Sequence, residues 1–403
     1  MKAGTPAPAA ATPGSILRVA AALALGSAVS LGLARFSYAL LLPPMRADLG
    51  WSYFTAGAMN TANAAGYLLG ALATPRALLR IGARSLLLGG SAATALLLAA
   101  HGMVLDDDSL FVLRLLTGIT SAAVFVSGGL LAARLGSGHA SAGLVLGVYY
   151  GGTGVGIIAS ALLVPPLTAR ALAHAWQGAW WALALAALLA TGVTAWATRG
   201  QAESTTHQTA GALAFRWRHF GFGLAAYFLF GLGYIGYMTF VITLLREQHL
   251  SDAQIVGFYI VLGFGVIASS WLWAGLLQRF RGGQSLALLN ALLAIATVLP
   301  VLSSHPLAVF ASGALFGSVF LSVVASTTAL VRHNLPAAGW SGGISAFTVV
   351  FAAGQIVGPS AVGWVADGPG GLRLGLAGSA AVLALGALLG WWQQPLGLRP
   401  TRA

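Results

Sequence analysis

An all-α membrane protein of twelve transmembrane helices, in two six-helix bundles with both termini cytoplasmic, is the fold class this sequence predicts. Three observations predict it. The 403 residues are 58% hydrophobic and only 7% charged, against about 45–50% and about 25% in a soluble domain. Apolar runs long enough to cross a hydrocarbon core recur from end to end, with none of the short alternating segments of a membrane β-barrel. The basic residues fall mostly in alternate connecting segments. Zero cysteines exclude a disulfide framework and thiolate metal sites.

The elements follow in order. Residues 1–15, rich in Pro, Ala and Gly, read as a disordered tail. The spans lie near 16–42, 53–74, 85–104, 109–134, 141–165 and 175–197, then 220–244, 253–277, 285–303, 306–331, 341–365 and 372–392. The first run continues past Arg35 into "LLPPM" without a small-residue cleavage site, so it is read as a retained span and not a leader. Residues 198–219 are the longest polar interruption after the N-terminal tail. They separate a 16–197 bundle from a 220–392 bundle, followed by a 393–403 tail.

With the N-terminus inside, the inner segments hold Lys2, Arg18, Arg76, Arg80, Arg84, Arg134, Arg199, Arg216, Arg218, Arg279, Arg281, Arg332, Arg399 and Arg402. The outer segments hold only Arg46, Arg170, Arg246 and Arg373, and one of them is the acidic Asp106 to Asp108. The net charge of +12 is therefore a topology signal of a multi-pass membrane protein, not a nucleic-acid surface. A shift of 200 residues aligns Gly57 with Gly257, Gly82 with Gly282 and Ser85 with Ser285. Since each half has an even number of spans, that is a parallel repeat of the kind found in two-bundle transporters.

Several short motifs sit at matching places in these spans. "RIGAR" holds Arg80, Gly82 and Arg84, and "GLLQRFRG" holds Gly275, Arg279 and Gly282. "RLLTG" begins at Arg114, "GVYYGGTGVG" supplies Gly147, Gly151 and Gly156, and "GQIVGP" supplies Gly354, Gly358 and Pro359. With twelve spans and a central loop, the chain resembles the major facilitator superfamily, MFS. "ARFSYALLLPPM" together with "FGLGYIGYMTF" is similar to its YbfB/YjiJ-type bacterial branch. The resemblance implies the MFS fold, transmembrane transporter activity, gating roles for the two Gly/Arg loops and helix packing by the glycines. Leu79 stands where the gating loop usually carries an acid, so the usual salt-bridge latch is not expected.

The only lysine, Lys2, does not follow a glycine-rich turn, so no phosphate-binding loop exists and nucleotide is not a partner. A secondary active or facilitative transporter working by alternating access, as a monomer in the bilayer and without cofactor, is the expectation. Arg35 lies eight residues before Pro43, roughly 12 Å into a core about 30 Å thick. A charge so placed costs about 2.5–3.5 kcal/mol on insertion scales and must face a wet cavity or a partner. No Asp or Glu lies inside any span, so a substrate anion is a sensible counter-charge, paired bidentately. The competing reading has Arg35 and Arg114 bonding backbone carbonyls and holding helices together.

Tyr38, Asn60, Asn63, Tyr234, Tyr237, Thr239 and Gln355 complete the expected substrate-binding set with Arg35 and Arg114. Trp180, Trp181, Trp391 and Trp392 read as interfacial anchors. A small organic anion is the expected substrate, and efflux of apolar or cationic compounds is the alternative. The spans lack the clustered His, Asp or Glu that catalysis or a metal site needs, so neither an enzyme nor a metalloprotein is expected.

Overall fold

A computed structural model describes residues 13–137, 142–169, 172–199 and 215–396. Most of the N-terminal tail, the centre of the 198–219 loop and most of the C-terminal tail lie outside the described residues. Twelve long helical segments follow, each matching one expected run. The first is compound: an α-helix Pro13–Ser27, a π-helix Ala28–Phe36 and an α-helix Tyr38–Leu49. The other five of the first half are Tyr53–Ile81, Ala83–His101, Asp107–Gly136, Ala142–Thr168 and Ala175–Ala197. The second half has Gly221–Glu247, Asp252–Leu272 continued by Ala274–Arg279, Gln284–Leu302, Pro306–Asn334, Ala337–Ala366 and Gly371–Trp392. Among the described residues, 11 of the spans are long and apolar enough to cross a membrane by length and composition. The exception is the second, whose N-terminal half carries Asn60, Thr61 and Asn63.

Two boundaries differ from expectation. The first span runs on through Pro43 and Pro44 to Leu49, proline's fixed φ being compatible with a helix although each ring displaces a ladder bond. The second reaches Ile81, where Gly82 at φ 77° ends it in a conformation that side chains rarely adopt.

Bare backbone sets the packing. A Cβ on Gly66 would strike the Leu115 backbone and one on Gly118 the Asn63 carbonyl, which locks the second span onto the fourth. In the second half, Gly265 meets Ser318 and Gly317 meets the Leu262 carbonyl, locking the eighth span onto the tenth. These equivalents, Gly66 with Gly265 and Gly118 with Gly317, stand 199 residues apart. The shift of 200 therefore overshoots by one here. Gly57 abuts the Pro359 carbonyl while Gly257 faces the Phe310 ring, so that aligned pair is not equivalent.

The halves meet where the second span packs on the eleventh and the fifth on the eighth, with Tyr38–Leu49 against the seventh. Gly354 and Gly358 let the eleventh span touch the backbone of the seventh. Gly152 and Gly156 do the same for the fifth against the first, while Gly147 and Gly151 face Ser270, Trp271 and Ile267 of the eighth. Trp180 departs from the anchor reading. It is fully buried and stacked on His101 with ring centres 4.4 Å apart, whereas its neighbour Trp181 stays exposed. Consecutive helical residues point about 100° apart, and here that turn puts Trp180 on the packed face and Trp181 on the exposed one, whereas Trp391 and Trp392 are both exposed.

Candidate functional site

The site begins with an irregularity. Nine residues, Ala28–Phe36, form a π-helix, all of them buried, and Arg35 sits near its end. Such turns break the regular i→i−4 ladder and cluster at functional positions. Here the break leaves carbonyls open to outside donors. Ala34 O accepts from Arg114 Nη1 at 3.1 Å, and Phe36 O accepts from the Tyr259 hydroxyl of the other half at 2.6 Å.

Arg35 points into the seam between the halves and is 4% exposed. Its Nη2 donates to Gln355 Oε1 on the eleventh span, the same oxygen that accepts from the Tyr234 hydroxyl of the seventh at 2.8 Å. Its Cζ lies 5.2 Å from the centre of the Tyr67 ring on the second span. Its Nε is buried and donates to nothing. Three of the expected residues, from three different spans, thus form one trio around a guanidinium whose donors exceed its acceptors. Among the described residues no carboxylate pairs with it.

Arg114 is built differently. It is 1% exposed and turns inward. Nη1 bonds Ala34 O, Nη2 bonds Asn60 Oδ1 at 3.1 Å, Nε approaches Met59 O at 3.4 Å, and the Tyr38 ring lies under its Cζ at 4.4 Å. Tyr38 therefore serves Arg114 rather than Arg35, with its hydroxyl on Ala56 O at 2.9 Å. Asn63 caps the same node from behind through the Arg114 carbonyl at 3.1 Å. Asn60 carries it across the seam, donating to Thr239 Oγ1 at 2.6 Å. Tyr237 stands apart from both arginines, bonded to Ser312 at 2.6 Å and stacked on Phe316.

The side-chain hydrogen bonds joining the halves among the described residues gather at the level of Arg35 and toward the end that holds the 50–52 and 248–251 turns. Besides those above, Thr61 bonds Ile356 O at 2.7 Å and Ser360 at 2.8 Å, and Tyr53 bonds Glu247. Asp367 takes the Tyr53 and Phe54 amides at 2.8 and 2.9 Å. That end is closed. At the opposite end, the loop residues expected to gate do local work. Arg84 ties the third span to the last carbonyls of the sixth, through Thr198 O and Ala195 O, both at 3.1 Å. Arg80 and Gly275 are exposed, Arg279 lies beside the Phe280 ring, and Gly282 packs on Gln284 and Pro395.

The sequence reading missed Tyr67, Phe320, Phe351 and the Asp367 contact. The recurrence of Tyr227, Phe230, Tyr234 and Tyr237 every three or four residues marks an aromatic face on the seventh span, but the missed rings lie on other spans and no local pattern pairs them with it.

Comparison with known proteins agrees with this architecture. The family model described as "Uncharacterised MFS-type transporter YbfB" matches residues 27–390. No curated protein matches the chain. The solved structure of a bacterial homolog to the human lysosomal transporter Spinster, inward-facing and unoccupied, is similar with a TM-score of 0.72 and 14% identity. It covers 94% of this chain and 97% of that one. The nucleoside transporter NupG is similar with a TM-score of 0.69 and 13% identity, over 94% of this chain and 100% of its own. At these identities the likeness is one of fold.

Proposed function

The chain belongs to the YbfB-type family of MFS transporters, and from that premise we propose that it carries a small organic anion across the membrane, with Arg35 as the residue that takes the negative charge. The observation behind the proposal is the trio of Arg35, Gln355 and Tyr234. A guanidinium held at membrane depth, with an unpaired Nε and a single side-chain acceptor, has capacity for a carboxylate or phosphate. Arg114, by contrast, has its donors committed to two carbonyls and an amide oxygen, and its role is to hold the first, second and fourth spans together.

In this proposal the units that rock are residues 16–197 and 220–392, the termini and central loop face the cytoplasm of a bacterial inner membrane, and the monomer is the working unit. The alternating distribution of Lys and Arg carries the orientation. The seam that parts on the outer side is the one formed by Tyr53, Thr61, Glu247, Ile356, Ser360 and Asp367. No carboxylate of the described residues lies within a span away from its ends, so the charge that moves belongs to the substrate rather than to a buried acid. Efflux of apolar or cationic compounds is kept as a second reading because rings crowd the same seam, and aromatic faces also attract cations.

The experiment is a thermal-stability screen of the purified protein in detergent against organic anions, organic cations and apolar compounds, followed by flux in vesicles. A ligand at about 100 times its Kd adds roughly 2.7 kcal/mol to the state it binds. Carboxylates or phosphates should stabilise the native chain and not Arg35→Gln. Equal stabilisation of both overturns the role of Arg35, and stabilisation by cations alone turns the assignment to efflux.

A further inference from the structure

Resting on the anion reading above, we infer that the substrate is a planar aromatic anion, a single ring carrying one carboxylate, held with its charge on Arg35 and its ring among the aromatic side chains beside it. The trio does not end at Tyr234. That ring stacks on Phe230 at 4.7 Å, Phe351 at 5.7 Å and Phe320 at 6.0 Å, with planes within 17° of parallel. Three spans of the second half, the seventh, tenth and eleventh, thus pack a cluster of near-parallel rings next to the oxygen that Arg35 uses. The first half contributes the opposite face, Tyr67, directly under the guanidinium.

Exposure sets the direction in which a ligand extends. Arg35 and Tyr234 are almost wholly buried, at 4% and 3%, while Phe351 and Tyr67 are half-buried and Tyr150, further from the closed end, is 37% exposed. An anion on the free Nε of Arg35 therefore sends its body toward Tyr67 and Phe351, the less buried rings that the two halves place beside the guanidinium. A flat ring meets those faces in offset stacking. A puckered ring of the same size meets them only by area.

Three probes of nearly equal size test this: benzoate, cyclohexanecarboxylate and benzamide, each titrated by calorimetry into the full-length protein in detergent, with Phe351→Leu alongside. Benzoate should bind about two- to tenfold more tightly than cyclohexanecarboxylate, and benzamide should not bind measurably. Phe351→Leu should remove the preference between the two carboxylates by weakening benzoate alone. Equal affinity for both carboxylates overturns the aromatic inference and leaves the anion reading standing. Equal affinity for benzoate and benzamide overturns the anion reading and with it the anionic half of this inference, leaving only the preference for a flat ring. Absence of benzoate binding overturns the inference outright. If Phe351→Leu does not fold, the comparison among the three ligands on the native chain still decides.

Discussion

Asp367→Asn should loosen the closed end of the seam, and the structure sets the size of the effect. A helix leaves its first amides unpaired, and the second span solves this in two parts. Its own Ser52 accepts from Thr55 N at 3.0 Å, while the Tyr53 and Phe54 amides are taken by the two carboxylate oxygens of Asp367, on the other half. Opening this end must break both bonds. Asparagine keeps one acceptor and turns an NH2 group toward the other amide, so one cap bond is lost, about 0.5–2 kcal/mol by capping substitutions. The charge–dipole attraction at the helix N-terminus, about 0.3–1 kcal/mol, goes with it. Allowing for exposure of the site, a net loss of about 1–2 kcal/mol raises the open-to-closed ratio about 5- to 30-fold.

The chain has no cysteine, so one introduced thiol reports alone. Thr243 is the position for it, because it lies one turn from the cross-seam contact Thr239, is 4% exposed, and its Oγ1 has no partner to lose. Labelling of Thr243→Cys by a membrane-impermeant maleimide from that side should accelerate about 5- to 30-fold when Asp367→Asn is added. Equal rates, in samples with equal size-exclusion profiles, would refute the assignment of Asp367 as a latch.

Other outcomes follow from the same contacts. Arg114→Met strands Ala34 O and Asn60 Oδ1 in the interior, at about 1–3 kcal/mol each, so its Tm should fall well below that of Arg35→Gln, which loses one side-chain bond. Equal Tm values for the two variants would contradict the division of labour between the arginines. Gly118→Ala drives a methyl into the Asn63 carbonyl and should cut the yield of folded protein, whereas Gly89→Ala, with nothing within 4 Å, should be neutral or raise Tm slightly. Size-exclusion recovery and melting in detergent separate the two glycines.

Much of the fold was legible in the chain because the bilayer imposes a local rule. Every backbone polar group must be satisfied within its own helix, so length and hydropathy mark each span, and all twelve expected runs became helices. Arg35 stood out for the same reason, since a charge amid apolar residues is costly wherever it points. Tyr38 shows where that reasoning stops. Three residues after Arg35, it would share the face of Arg35 in a regular helix, but the π-helix between Ala28 and Phe36 shifts the register, and its ring lies under Arg114.

The sequence by itself determined the twelve spans, the absence of an acid inside them and the place of Arg35 within the first apolar run, all properties of residues close together along the chain. Only the tertiary structure decided that Arg35 meets Gln355, 320 residues away, and that Asp367 caps a helix 314 residues away. It also separated an arginine with a spare donor from one bound to carbonyls. Hydrogen bonds form between atoms about 3 Å apart, and hydropathy, which is blind to direction, does not say which helix faces bring such atoms together.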